Sequence, residues 1–309
     1  MGYRPQTPNW SNAPQFFPQV PLQQNQYSQM AVRNETAIAQ IKLITLSQKD
    51  RAEAIQSLSH QREQIPNIGV LLWESPASVA ALLEEIISVV PHIAAISNSP
   101  VTTQTTISSN HAARVCYALT LFQSIAVASD EVRTQFLKAD IPSYLTPFLH
   151  TLNQSRECEH FKLASLGIIG TIAMSNSQEA FDYLISKDFV PLCLRILKFS
   201  SEIHKIFASY IIQRILSTQR GIDEICKDAE KIKSVLDVLY NEVKILVVNY
   251  NPRIVRNIIF AYQYLFQSKV AVSILSQYQF DELDTLAKSQ KCEESFLKLI
   301  YQLVNHQFA

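Results

Sequence analysis

A chain of 309 residues, 47% hydrophobic and 17% charged, carries enough apolar material for a large continuous core, as one elongated repeat domain or two compact ones. Glycine, at 5 residues, is too scarce for the tight turns and phosphate loops of open α/β and all-β folds, which points to helices. Lys+Arg and Asp+Glu both number 27, so no global field draws the chain to nucleic acid or anionic membrane, and any basic site must be local.

In chain order, residues 1 to about 30 come first as a Pro/Gln/Asn-rich stretch in which Pro5, Pro8, Pro14, Pro18 and Pro21 recur without helical periodicity. This composition predicts a disordered or polyproline-like tail ahead of a repeat domain over 31–309. Trp10, Phe16, Phe17 and Tyr27 within it are either parts of an inert extension or short linear-motif anchors. The N-terminus lacks the marks of a secretory signal, and no apolar run reaches the roughly 18 residues of a membrane span. The expectation is a soluble intracellular protein, cytoplasmic and nuclear.

From Asn34 helical periodicity takes over. Ile38, Ile41, Ile44 and Leu46 mark a first amphipathic segment, and Ser47, three residues before Asp50, offers a cap for a second that carries Ala54, Ile55 and Leu58. Pro76 suits the first turn of an apolar helix running to about Val90, which Pro91 closes. Residues 94–107, rich in Ser, Thr and Asn, read as a loop.

Beyond that loop the text repeats. Residues 118–131 align with 165–179 and, more loosely, with 208–218, while 136–152 align with 184–200. A period of about 42 to 49 residues is that of armadillo or HEAT units, whose helices bury their apolar faces only by stacking on neighbours. Each unit reads as a long inner helix such as 161–174, a short crossing helix such as 178–186, and a third helix opened by Pro142 or Pro191. Gly167 and Gly170 inside the long helix cost about 1 kcal/mol each relative to alanine, so close packing or a ligand groove must compensate. Further helices are predicted over 235–248, 252–266 and 294–304.

Catalytic text is missing: there is no P-loop, dinucleotide glycine fingerprint, H-E-x-x-H or G-x-S-x-G, and the seven histidines are dispersed. His160 and His204 read as solvated or partner-facing. Cys116, Cys158, Cys193, Cys226 and Cys292 occur singly, as reduced and mostly buried thiols would. No enzyme, cofactor or metal is expected. Stacked repeats would still align Arg195, Lys198, Lys205, Arg214, Arg220, Lys227, Lys231, Lys233, Arg253 and Arg256 into a basic stripe, with Tyr210 or Tyr262 as stacking planes. The alternatives are direct RNA or single-stranded DNA binding, or helix-surface charges balanced by acidic neighbours.

The stretches LLWESPASVAALLEEI (71–86), PSYLTPFLHTL (142–152), LASLGIIGTI (163–172) and VPLCLRIL (190–197), at these separations, resemble the Rcd-one-like cell-differentiation family, over about residues 35 to 305. Its members form the armadillo-repeat subunit of the Ccr-four/Not messenger-RNA deadenylase complex. The resemblance implies an all-α superhelix of about six repeats with no activity of its own. It would dock on the Not-one scaffold and recruit short helical or tryptophan-containing motifs of RNA-binding and silencing proteins. Weak nucleic-acid binding and homodimerisation also go with the family.

Carried over by position, the resemblance puts the scaffold contact at Glu74, Pro76 and Ala80, with Glu74 and Pro76 replacing a usual histidine and aromatic. It puts a helix-accepting groove at His160, Gly167 and Phe207, where His160 replaces a tyrosine and Phe207 a smaller aliphatic residue. The tryptophan-pocket region falls on Ala229 and Lys231, with Ala229 in place of a tyrosine whose stacking is worth roughly 0.5 to 1.5 kcal/mol.

Overall fold

Polar side chains placed just ahead of apolar runs start many of the helices. In the computed structural model, which describes residues 24–46, 48–93, 107–278 and 281–288, Ser108, Ser129, Ser155, Ser177, Thr218, Asn251 and Ser268 each accept a backbone N–H two or three residues on. Such a cap satisfies an amide that the helix start leaves unpaired and stabilises by about 1 kcal/mol.

The helices are α1 (Gln24–Leu46), α2 (Gln48–Gln61), α3 (Ile68–Trp73), α4 (Pro76–Ile87), α5 (Ser109–Ala128), α6 (Asp130–Lys138), α7 (Thr146–His150) and α8 (Arg156–Met174). They continue as α9 (Gln178–Ser186), α10 (Phe189–Phe199), α11 (Glu202–Leu216), α12 (Gln219–Cys226), α13 (Ala229–Val248), α14 (Pro252–Leu265), α15 (Lys269–Leu275) and α16 (Asp281–Lys288). No strand occurs among the described residues.

From α5 onward the helices fall into threes, long, short and third, as the repeats predict. The long helices α5, α8, α11 and α14 pack one against the next as a ladder, and the third helices α7, α10 and α13 form a second layer in the same order. Phe122 and Ile125, Phe161 and Ile169, Ile211 and Ile215, and Ile258 and Tyr262 fill the ladder's core. Burial stabilises by about 1.5–3 kcal/mol for each large apolar side chain, and no unit buries its own face without a neighbour.

Helix α9 has the bounds the sequence predicts. Helix α8 begins five residues early because Ser155 caps it, and α13 begins at Ala229 behind Asp228. Helix α4 stops at Ile87, and residues 90–93 are helical again, so Pro91 lies in a new helix and does not close the old one. Helix α1 starts at Gln24, so residues 24–30 of the expected tail are helical. Residues 1–23, Ser47, 94–106, Cys292 and the predicted helix 294–304 lie outside the described residues.

Against the expectation that no apolar run is long enough to span a membrane, Pro76–Ile93 is long and apolar enough by composition to cross one. Its Ala81, Leu82 and Ile86 are nevertheless buried, where α4 packs on α1 and α5, as in a core helix.

Glycine scarcity is met by short polar residues: Asp140, Asn176 and Asp188 take the left-handed conformation at φ 55, 58 and 53. Asp140 does more than turn the chain. Its carboxylate accepts from Ser143, Tyr183 and Lys187 at 2.6, 2.7 and 2.7 Å, tying one unit to the next. Partial burial works to raise its pKa, but these hydrogen bonds prevail and hold the carboxyl below the usual range. The glycines that packing demands are Gly69 and Gly221, where a Cβ would overlap the carbonyls of Ser124 and Ile215. A Cβ at Gly167 or Gly170 would only touch the Gln123 or Phe207 side chain, at 3.4 Å.

Candidate protein-interaction site

Pro76 opens α4 at its first turn, fixing the helix so that one face packs inward and the other faces out. Pro76, Ala77, Ala80 and Ile87 are exposed and Leu83 is half-buried, so positions 76, 80, 83 and 87 form one apolar stripe at helical spacing. Glu74, the C-cap of α3, is exposed at its head. All three residues expected at the scaffold contact therefore share one surface.

That surface is wider than the expectation. Arg51 donates to the Ile44 carbonyl at 3.0 Å and pairs with Glu84 at 2.9 Å, placing the end of α1 beside the outer face of α4. Leu43 and Leu46 are exposed there, Leu46 at 77%. The spacing of Leu83 and Ile87 after Pro76 and Ala80 was the signal in the sequence for extending the stripe; the contribution of α1 had none.

Along the ladder, His160 is exposed and lines an open groove of about 350 Å³ between the first turns of α5 and α8, with Ala113, Cys116, Tyr117, Arg156 and Glu157. Gly167 lies two turns further along α8, next to Gln123. Phe207 of α11 packs against Gly170 and not Gly167, so the expected trio is spread along α8 and does not converge on one point. Burial pushes the Cys116 thiol up to about 11, leaving it protonated in this groove.

At the tryptophan-pocket region, Ala229 is the exposed first residue of α13. Lys231 is held by Glu224 at 3.1 Å and faces Asp188 at 4.0 Å. The partly open hollow lined by Lys231, Ile185, Ile215 and Ile225 is about 10 Å³, far too small for an indole. A separate open groove of about 360 Å³ runs between α10 and α13, floored by Pro191, Leu194 and Val235 and edged by Arg195, Lys198 and Lys231.

The expected basic stripe does not form. Lys205 of α11 is turned inward to both carboxylate oxygens of the buried Glu242 of α13, at 2.9 and 2.7 Å, because a buried carboxylate needs a counter-charge. Arg214 donates to the Ala173 carbonyl at 3.2 Å and to Asn176, and lies over the Phe181 ring, so its guanidinium closes the end of α8. Arg195 lies on the second layer, whereas Arg253 and Arg256 are exposed on the ladder, Arg256 beside the Phe260 ring. Tyr262 is fully buried and offers no stacking plane.

His204 is likewise buried, not solvated or partner-facing. Its Nε2 donates to the Glu159 carbonyl at 3.0 Å and its Nδ1 meets Ser201 Oγ at 2.6 Å, while Lys162 pairs with the Glu159 carboxylate at 3.1 Å. Burial first, then the nearby Lys162, lower the imidazole pKa against the opposing pull of Glu159. Among the described residues no three His, Cys, Asp or Glu side chains are grouped to hold a metal ion. Cys116, Cys158, Cys193 and Cys226 are free thiols.

A ladder of long helices with short helices crossing between units defines an armadillo-type repeat protein. Solved structures agree: a designed armadillo repeat protein superposes with a TM-score of 0.56 at 17% identity, covering 88% of this chain and 98% of its own. An engineered protein does so with a TM-score of 0.54 at 15% identity, covering 88% and 96%. Within that class, the model of the cell differentiation family, Rcd1-like, matches residues 41–306, and the chain belongs to that family. The cell differentiation protein rcd1 of Schizosaccharomyces pombe is 40% identical over 217 residues, 70% of this chain and 73% of that protein. Protein CAF40 of Saccharomyces cerevisiae is 38% identical over 213 residues, 69% of this chain and 54% of that one.

Proposed function

We propose that the chain is a non-catalytic adaptor subunit of the Ccr-four/Not deadenylase complex, acting in the cytoplasm and nucleus to promote message deadenylation, decay and translational repression. It docks on the Not-one scaffold through the outer face of α4. It presents the ladder groove at His160 to short peptide motifs of RNA-binding or silencing proteins. Family membership supports the assembly, and one observation carries the docking surface: Pro76, Ala80 and Ile87 form an apolar stripe that is left exposed among the described residues. The test is co-purification of the full chain with the scaffold's central helical domain, followed by a peptide array on the groove. Retention of the scaffold domain is the expected result, and its loss from the parent chain would reject the reading.

Direct nucleic-acid binding is reduced to a smaller claim. Lys205 and Arg214 serve the fold, which leaves Arg253 and Arg256 on α14 and the separate Arg195–Lys198 edge. If RNA binds through α14, affinity falls steeply with salt and Arg253→Glu with Arg256→Glu abolishes it. A double variant that binds as the parent does would dismiss this second reading.

A further inference from the structure

We infer that the edge of the superhelix where third helices lead into long ones is a second protein-docking surface, separate from the α4 face. It takes an amphipathic helix with one apolar stripe and acidic flanks. Leu152, Phe199 and Val248 mark the edge. They stand at the ends of the third helices, just ahead of α8, α11 and α14, and are 58, 62 and 79% exposed. They are 47 and 49 residues apart, the period of the repeat, so stacking sets them in a row. A single exposed apolar residue is ordinary, whereas three at matching positions of successive units make a continuous line.

Side-chain ties join the turns that carry this row. His204 Nε2 on the Glu159 carbonyl links the first turns of α11 and α8, and Asn251 Nδ2 donates to Glu202 Oε1, linking the start of α11 to the turn before α14. Phe199 and Ile203 lie within three residues of Glu202, and Val248 lies three before Asn251, so the second tie gathers their side chains. Ile203 and Ile245, the latter one turn before Val248, are exposed as well. Packed helices stand about 8–10 Å apart, and seven residues of helix rise about 10.5 Å. A helix laid along the edge therefore meets each unit with one apolar side chain per heptad.

Charge selects the flanks. Glu202, the acid at the middle of the edge, is held by Asn251. Lys198 beside Phe199, and Arg253 two residues beyond Asn251, are exposed and have no acidic partner among the described residues. Lys205, by contrast, is spent on an acid of the next unit. Two unspent cations around an apolar centre attract acidic side chains and repel basic ones.

The probe is a fluorophore-labelled synthetic helix of three heptads, about 21 residues, with leucine at positions a and d and glutamate at e and g. Fluorescence anisotropy with the full chain reads its affinity. The same peptide with lysine at e and g should bind at least about 10-fold more weakly. Phe199→Asp with Val248→Asp, at exposed positions whose fold is checked by circular dichroism, should weaken the glutamate peptide by at least about 10-fold. Lys198→Glu with Arg253→Glu should reverse the preference in favour of the lysine peptide. No binding of the glutamate peptide, or equal binding of the two peptides, would overturn the inference. Binding that survives both double variants and is lost in Ala80→Arg would put the helix on the α4 face and equally reject it. So would a parent chain that sediments as a dimer and becomes monomeric in the Phe199→Asp, Val248→Asp variant, which would give the edge to a second copy.

Discussion

The outer face of α4 and the polar seam joining α8, α11 and α13 are made of similar amphipathic helices, yet they end in opposite states. In the seam, Lys162, His204 and Glu242 are buried and Glu159 and Lys205 mostly so, and each has a partner within the chain. On α4, apolar side chains stand exposed and the core side of the same helix is fully packed. The difference teaches that charge in a neutral solenoid is a poor guide to its partners. Stacked units bring acids and bases from different repeats together and spend them on the fold, while apolar surface left uncovered marks where something else must bind.

The comparison breaks most visibly at Glu242. Glu242→Ala leaves the Lys205 ammonium nearly buried without its counter-charge, and chemical denaturation should register a loss of about 3–5 kcal/mol. A loss under about 1 kcal/mol would mean that the seam is solvated and no different from the surface.

Next in size is Gly221→Ala, which collides with the Ile215 carbonyl and should cost about 1–3 kcal/mol. The seam should also make stability depend on pH. Burial lowers the pKa of His204 in the fold, whereas the unfolded imidazole takes its proton near 6.5, so the unfolded state binds more protons below that pH. The contribution of neutral His204 is fully present above pH 6.5 and is lost as the pH falls through 6.5 towards the folded pKa. Denaturation midpoints between pH 7.5 and 5 should fall in the parent and fall less in His204→Gln. Smallest is Gly167→Ala, which meets only the Gln123 side chain and should leave stability within about 1 kcal/mol of the parent, on the favourable side, because alanine is the better helix former.

Much of the fold was legible because it is periodic. Repeated apolar text near 118, 165 and 208 located the ladder, and the short crossing helix predicted over 178–186 is α9. Helix starts at Arg156 and Ala229 were missed where a polar first turn hid behind the cap. The partners of Lys205 and His204 were out of reach of local reading, since Glu242 and Glu159 are 37 and 45 residues away and meet them only once the units stack. Of the interaction site, the resemblance supplied Glu74, Pro76 and Ala80. Helical spacing after Ala80 pointed to Ile87, whereas exposure alone added Leu43 and Leu46, because whether an apolar residue of an amphipathic helix faces core or solvent depends on what its neighbours cover.

Docking through the α4 face is tested most directly by the affinity of the full chain for the scaffold's central helical domain, measured for the parent, Ala80→Arg and Val248→Arg. Val248 is 79% exposed at the end of α13 and serves as a control for added charge on an open apolar position. The prediction is a loss of at least about 100-fold for Ala80→Arg, equivalent to about 2.7 kcal/mol, with Val248→Arg and both melting temperatures unchanged. Equal affinity for the parent and Ala80→Arg would contradict it.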